Sequence, residues 1–116
     1  MIQNKKEKVV VFGHSDNPQR YSYQASELLK KYHHDVVAFN PRIDDSKNLP
    51  VNFDTLTLYV SEAVTKKFED LLLGLHFKRV IFNPGTENPE LEAKLKARQV
   101  EIIHGCTLVM LKTNQF

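Results

Sequence analysis

The chain has a single cysteine, Cys106, so no internal disulfide can form and a reducing compartment suits it. It has little excess charge: 16 Lys and Arg stand against 14 Asp and Glu, a net of +2. Without a basic block, nucleic acid is not the expected partner, yet a locally positive pocket for a small anion is allowed. No apolar run approaches the roughly 18 residues of a membrane span. The run Val9–Gly13, behind the basic Met1–Lys6, is too short for a signal-peptide core. A cytoplasmic location with no membrane partner is therefore expected. There is no internal repeat and no low-complexity segment. With 116 residues, 41% hydrophobic and 26% charged, the composition suits one globular domain over 1–116, its polar residues 1–8 expected to be flexible or an edge extension.

Glycine is also scarce, at four residues, and one of them punctuates the stretch that organises the chain, Val9–Arg20 (VVVFGHSDNPQR). An apolar β-prone run stops at Gly13, a polar loop His14-Ser15-Asp16-Asn17-Pro18 follows, and a helical pattern begins near Arg20. Strand, tight Gly loop and helix is a layout that points backbone N–H groups at a phosphate. A full dinucleotide fingerprint needs three glycines at fixed spacing. Only Gly13 is present, followed by Ser15, so a plain strand-to-helix turn stays open. Helix one carries Tyr21, Ala25, Leu28, Leu29 and Tyr32 on one face. Asn17-Pro18 can cap and start it, with Ser22 as a rival start. It leaves through His33-His34, where glycine would be easier.

Strand two is expected over Asp35–Asn40, closed by Pro41. The crossover 42–54 is polar, without helical period, and allows a minor strand at Leu49–Val51. Strand three is expected over Thr55–Val60. One helix follows from Ser61, striped by Val64, Phe68, Leu71, Leu72 and Leu75. Strand four covers Arg79–Phe82 and leads into the loop Asn83-Pro84-Gly85. The next helix has Asn88 as cap, Pro89 in its first position, Glu90 and Glu92 early, and Lys94, Lys96 and Arg98 late. Strand five covers Val100–Ile103, and a short apolar tail, Leu108–Leu111, closes the chain. This alternation predicts a doubly wound α/β domain with a five-stranded parallel sheet in the order 2-1-3-4-5 and helices on both faces. Ligands then bind outside the strand carboxyl ends where strand order reverses, at residues 13–20, 40–42, 59–61 and 83–85.

The chemistry at that edge is cationic and lacks a catalytic pair. Arg20 is a fixed cation at the helix start, able to grip phosphate. Strand two ends in Asn40-Pro41-Arg42, without the acidic residue that usually receives an NAD ribose. That disfavours NAD and leaves NADP or coenzyme A, with Arg42 available to a ribose phosphate. Asn83-Pro84-Gly85 is either a ligand loop or an ordinary turn. Cys106 is either a small buried hydrophobe or a thiol near the ligand edge. The five histidines, His14, His33, His34, His76 and His104, show no metal-ligand spacing, and no nucleophile–base pair is evident.

Taken together and in order, VVVFGHSDNPQRYSYQASELL, VVAFNPR and FNPGTENPELEAKLKARQVEIIHGC resemble the small stand-alone CoA-binding proteins, which are similar to the N-terminal domain of the succinyl-CoA synthetase alpha subunit. The resemblance covers about Val9 to Leu108 and implies a Rossmann-like three-layer α/β/α fold with coenzyme A as ligand. It implies that Gly13, Ser15 and Arg20 hold the phosphates, with His14, Asp16 and Asn17 completing the loop. Asn40, Pro41 and Arg42 would meet the adenosine end, and Val60, Ser61, Asn83 and Pro84 would line the remaining groove. His14 departs from the small residue usual there, and the crossover 42–54 is shorter than is usual. His34 and Gln99 stand where glycines are common. The synthetase's phosphohistidine domain and partner subunit have no counterpart in these 116 residues, so ligase activity is not implied. The expected role is a non-catalytic carrier, sensor or regulatory module for CoA or acyl-CoA, with a homo-oligomer allowed. The alternatives are an NADP- or other nucleotide-dependent enzyme component, and an interaction domain with a vestigial pocket.

Overall fold

A strand whose every residue is apolar must be covered on both faces, and Val9–Phe12 is such a strand. The computed structural model describes residues 5–116. In it, β1 (Lys8–Phe12), β2 (Asp35–Phe39), β3 (Thr55–Leu58), β4 (Arg79–Phe82) and β5 (Glu101–His104) form one sheet in the order β2-β1-β3-β4-β5. All four pairings are parallel, with Val11 level with Ala38 on one side and Thr57 on the other. Val9, Val10, Val11 and Phe12 are each 0% exposed. Val9 and Val11 join Leu29 of α1 (Tyr21–Lys31) and Leu111 of α5 (Thr107–Lys112). Val10 and Phe12 face the other way and cluster with Leu72 of α3 (Glu69–Leu73) and with Leu91 and Leu95 of α4 (Pro89–Ala97). Two helices thus cover one face and the remainder cover the other, giving the expected doubly wound, three-layer Rossmann-like fold. Each such Leu or Val contributes about 1.5–3 kcal/mol of burial.

Several local expectations are corrected. Helix α1 begins at neither Asn17-Pro18 nor Ser22. Asn17 closes a turn, its Oδ1 accepting from Gln19 N–H and its carbonyl from Arg20 N–H, and Arg20 becomes the N-cap. Tyr21 is 70% exposed rather than part of the buried stripe, and Ser22 and Ser26 are buried in its place. The single helix expected from Ser61 is two, α2 (Glu62–Lys67) and α3, broken at Phe68 (φ −105°, ψ 17°). Phe68 leaves helical geometry there and packs its ring edge-on against Phe12, with centroids 5.9 Å apart. Leu49–Val51 forms no strand. A 3-10 turn over Ser46–Asn48 precedes it, and Leu49 and Phe53 turn inward. The apolar tail Leu108–Leu111 is helix α5. Strand three stops at Leu58, and strand five is shifted to Glu101–His104. The glycine-like backbone at the α1 exit falls on His33 (φ 73°), one residue before His34, and the one after α4 falls on Gln99 (φ 66°) as expected.

The expectation of a flexible 1–8 extension lies, for residues 1–4, outside the described residues. Glu7 and Lys8, however, are held. Lys8 opens β1 and donates its N–H to Asp54 Oδ2 at 2.8 Å. The Glu7 carboxylate pairs with the largely buried Arg79 guanidinium at 3.2 Å and accepts from Thr55 Oγ1 at 2.6 Å. Arg79 also lies over the Phe116 ring, 4.4 Å from its centroid.

Glu7 N–H donates to Nδ1 of buried His34 at 3.0 Å, which only an unprotonated Nδ1 can accept. Burial holds this imidazole below its ordinary 6.5; the Glu7 carboxylate opposes the shift, and Arg79 and His33 add to it. With the folded value lowered, the unfolded chain takes up the proton first as pH falls. The stabilisation is therefore complete above about pH 6.5 and is lost below it. We expect the urea midpoint to fall on acidification from about pH 7.5 to about pH 5.5, and the fall to be smaller in His34→Asn, whose carbonyl accepts the same N–H without titrating. Equal falls in both proteins would refute this.

Candidate functional site

The site lies at the carboxyl edge of the sheet, where β1 and β3 diverge. Gly13 ends β1 at φ +106°. A Cβ on it would sit 2.7 Å from Val60 Cγ1 and 2.9 Å from the Tyr59 carbonyl carbon and oxygen, so glycine is what lets the segment after β3 close against β1. The N–H groups of Gly13 and His14 both donate to the Phe39 carbonyl, at 2.8 and 2.9 Å. They fasten β1 to β2 and do not point at a ligand.

The rest of the loop is fixed by side chains. Ser15 N–H donates to Ser22 Oγ and Asn17 N–H to Ser15 Oγ, each at 3.1 Å. This sets Arg20 at the mouth of α1. The helix has no side-chain cap and no acidic residue in its first turn, and the Gln24 N–H to Arg20 carbonyl bond opens its ladder. Its first-turn N–H groups, at Tyr21, Ser22 and Tyr23, therefore carry the helix's partial positive charge without an intrahelical partner. Of these, Tyr21 and Ser22 border the hollow over the start of α1.

At the end of β2, Asn40 Oδ1 accepts from Arg42 N–H at 2.9 Å. Asp44 folds back so that its Oδ2 accepts from Asn40 N–H at 2.7 Å. The strand end thus does have a carboxylate, supplied four residues later, but it closes the turn rather than lining the cleft.

These elements enclose a cleft of about 340 Å³ lined by Gly13, His14, Ser15 and Arg20 from the first loop, Asn40, Pro41 and Arg42 from the second, and Tyr59, Val60, Ser61 and Val64 from the third. A second hollow of about 400 Å³ shares Gly13, Ser15, Arg20 and Tyr59 with it and extends over the start of α1. No carboxylate lines either. Neither Arg20 nor Arg42 makes an ion pair among the described residues. Two guanidinium side chains and an open helix amino end beside a carboxylate-free hollow are groups of the kind that can receive a phosphorylated ligand.

Four expected site residues lie elsewhere. Asp16 and Asn17 stand exposed on the loop and do not line the cleft. Pro84 is exposed beyond β4. Asn83 is 3% exposed, and its amide is fully engaged: Nδ2 donates to Thr57 Oγ1 at 2.8 Å and to the Leu58 carbonyl at 2.7 Å, and Oδ1 accepts from Thr107 N–H at 2.8 Å. It is a strut between β3, β4 and α5. Cys106 is half-buried at the amino end of α5 and outside the cleft lining.

Tyr59, which falls within the expected edge segment 59–61 but had no role assigned to it, lines the cleft, and so does Val64, which was expected only in the helix stripe. Burial pushes the Tyr59 phenol up to about 12, and its hydroxyl has no hydrogen-bond partner among the described residues. The neutral ring packs against the core formed by Val9, Val11, Leu29 and Leu111, and the residue borders both hollows. The signal for it was its place immediately after the last residue of β3. Among the described residues, no group of three or more His, Cys, Asp or Glu is placed to hold a metal ion, and no helix is long and apolar enough to cross a membrane.

Known proteins agree with this architecture. A crystal structure of an uncharacterized protein superposes with a TM-score of 0.86 at 36% identity, covering 97% of this chain and 99% of its own. A hypothetical protein from Pyrococcus horikoshii OT3 gives 0.84 at 19% identity, covering 99% of this chain and 88% of its own. A protein from Thermus thermophilus gives 0.78 at 16% identity, covering 98% and 93%. The last two show the fold alone. No curated protein matches the sequence. The model of the CoA binding domain family matches residues 7–112, which include all three loops of the cleft, and the chain belongs to that family.

Proposed function

We propose that the chain binds coenzyme A or an acyl-CoA in the cleft between the β1, β2 and β3 loops, as a non-catalytic carrier, sensor or regulatory module. The observation that carries this reading is the pair of ion-pair-free guanidinium groups, Arg20 and Arg42, on opposite loops of a hollow without carboxylates. Coenzyme A brings a diphosphate and a ribose phosphate monoester, and two fixed cations on separate loops match that separation of charge. Arg20 with the first turn of α1 receives the diphosphate, and Arg42 receives the ribose phosphate. Gly13 and Ser15 shape the floor, and Asn40 and Pro41 border the adenosine. The Val60 and Tyr59 wall takes the apolar arm. Membership in the CoA binding domain family supports the choice of ligand.

The test is a thermal-shift and calorimetric titration with coenzyme A. Binding is expected, and Arg20→Ala and Arg42→Ala should each weaken it by roughly tenfold to a hundredfold, the value of a charge-assisted hydrogen bond (about 1.5–3 kcal/mol). Arg42→Ala should cost little against dephospho-CoA, which lacks the ribose phosphate. No shift at millimolar coenzyme A would end the reading. Tighter binding of NADPH than of coenzyme A would favour the NADP-dependent alternative, which the same two arginines support.

A further inference from the structure

Helices α1 and α5 lie side by side on one face of the sheet, joined through Leu29 and Leu111. Both start at the carboxyl edge and run back to the opposite edge. There α1 gives way to His34, and the chain after α5 reaches Phe116, whose ring centroid is 5.2 Å from that of His34. Between the outer sides of the two helices runs a groove of about 320 Å³, which shares no residue with the cleft. Its floor is apolar: Tyr23 and Leu28 are half-buried, and Leu108 is buried. Val109, the next residue on α5, is 56% exposed. The α1 wall carries Glu27 and the α5 wall carries Lys112. The Glu27 carboxylate meets only Lys30 of its own helix, at 3.3 Å, and both side chains are more than half exposed. Such a pair contributes little and leaves the carboxylate available. Lys112 makes no ion pair among the described residues.

An acid on one wall and a base on the other make the groove complementary to itself. A two-fold axis along the groove keeps the direction of both helices and lays α1 of one copy over α5 of the other. Glu27 and Lys112 line the same hollow, so each Glu27 then meets the Lys112 of the other copy, twice per pair of chains. Lys31, one turn beyond Glu27, comes past the end of α5 in the other copy, on the side to which its unpartnered helix carbonyls point, where a cation is favoured. We propose that this groove is the contact surface of a symmetric homodimer, in which the apolar floors of two copies close on each other between the paired charges. The net charge of +2 per chain is too small to hold two copies apart. The surface is small, so association belongs to the weak, reversible class. Arg20 and Arg42 lie outside it, so the dimer does not depend on the coenzyme A reading.

Sedimentation equilibrium of the full chain from about 10 μM to about 1 mM, without ligand, reads the association. The mass should rise toward twice that of one chain at the upper end, and less so in high salt. Glu27→Lys and Lys112→Glu each set like charges against one another at both contacts. Each should weaken association by roughly tenfold to a hundredfold. Mixed in equal amounts, the two variants restore opposite charges at both contacts, and the mixture should dimerise where neither variant does alone. Both positions are exposed, so the melting temperatures of the variants should match that of the wild type at the lowest concentration. A wild-type chain that stays monomeric over the whole range overturns the proposal by itself and assigns the groove to some other occupant. Association that neither variant weakens, or a mixture no better than its components, overturns it as well.

Discussion

Gly13→Ala is expected to destabilise the protein by roughly 3–5 kcal/mol, lowering its melting temperature on the order of 15 °C. Two costs combine. At φ +106° an L side chain is strained wherever it sits. Here the new Cβ would also meet Val60 Cγ1 at 2.7 Å and the Tyr59 carbonyl at 2.9 Å, and the latter is backbone that cannot swing away. Relief requires the segment after β3 to move off β1, which opens the floor of the cleft. Gly85→Ala supplies the comparison. Its φ is +91°, but a Cβ there meets nothing within 4 Å, so only the backbone strain applies, about 1 kcal/mol. Urea unfolding of the two variants reads the difference, and equal losses would show that strain alone acts at Gly13.

Asn83→Ala is expected to cost about 2–4 kcal/mol, because it removes three buried hydrogen bonds and leaves Thr107 N–H and the Leu58 carbonyl without their partner. Thr57 is coupled to the same group: its Oγ1 receives the Asn83 amide and lies 2.8 Å from Thr107 Oγ1. A double-mutant cycle of Asn83→Ala with Thr57→Val should therefore be non-additive. The measurement also separates two roles. A strut loses stability when removed, whereas a ligand contact loses coenzyme A affinity with its urea midpoint intact. The second result would return Asn83 to the binding site.

The strands were legible because burial on both faces writes itself as an unbroken apolar run, as in Val9–Phe12, and such a run admits few alternatives. Helix α4 was legible for a local reason: Asn88 accepts from Leu91 N–H and Pro89 follows it, so the start signal and its use lie within four residues. What escaped notice depends on partners distant in sequence. The break at Phe68 exists because Phe12, 56 positions earlier, receives its ring. Asn83 looks like a loop residue until Thr57 and Thr107 are seen to surround it. The Asp44 carboxylate reaches the end of β2 only because the chain turns sharply through Pro41. In the cleft, the two arginines and Gly13 were legible as a set, since strand order alone places the first and second loops side by side. Val64 was missed because an apolar residue in a helix stripe looks the same whether it faces the core or a cleft.

The two N–H groups that converge on the Phe39 carbonyl have a consequence for how this scaffold can change. These main-chain donors are spent on holding the sheet edge together, so the framework and the proposed recognition by Arg20 and Arg42 draw on separate atoms. Under the proposed reading, exchanging Arg20 or Arg42 retunes which phosphorylated molecule is preferred while the framework keeps its shape, and the domain can diversify one surface position at a time.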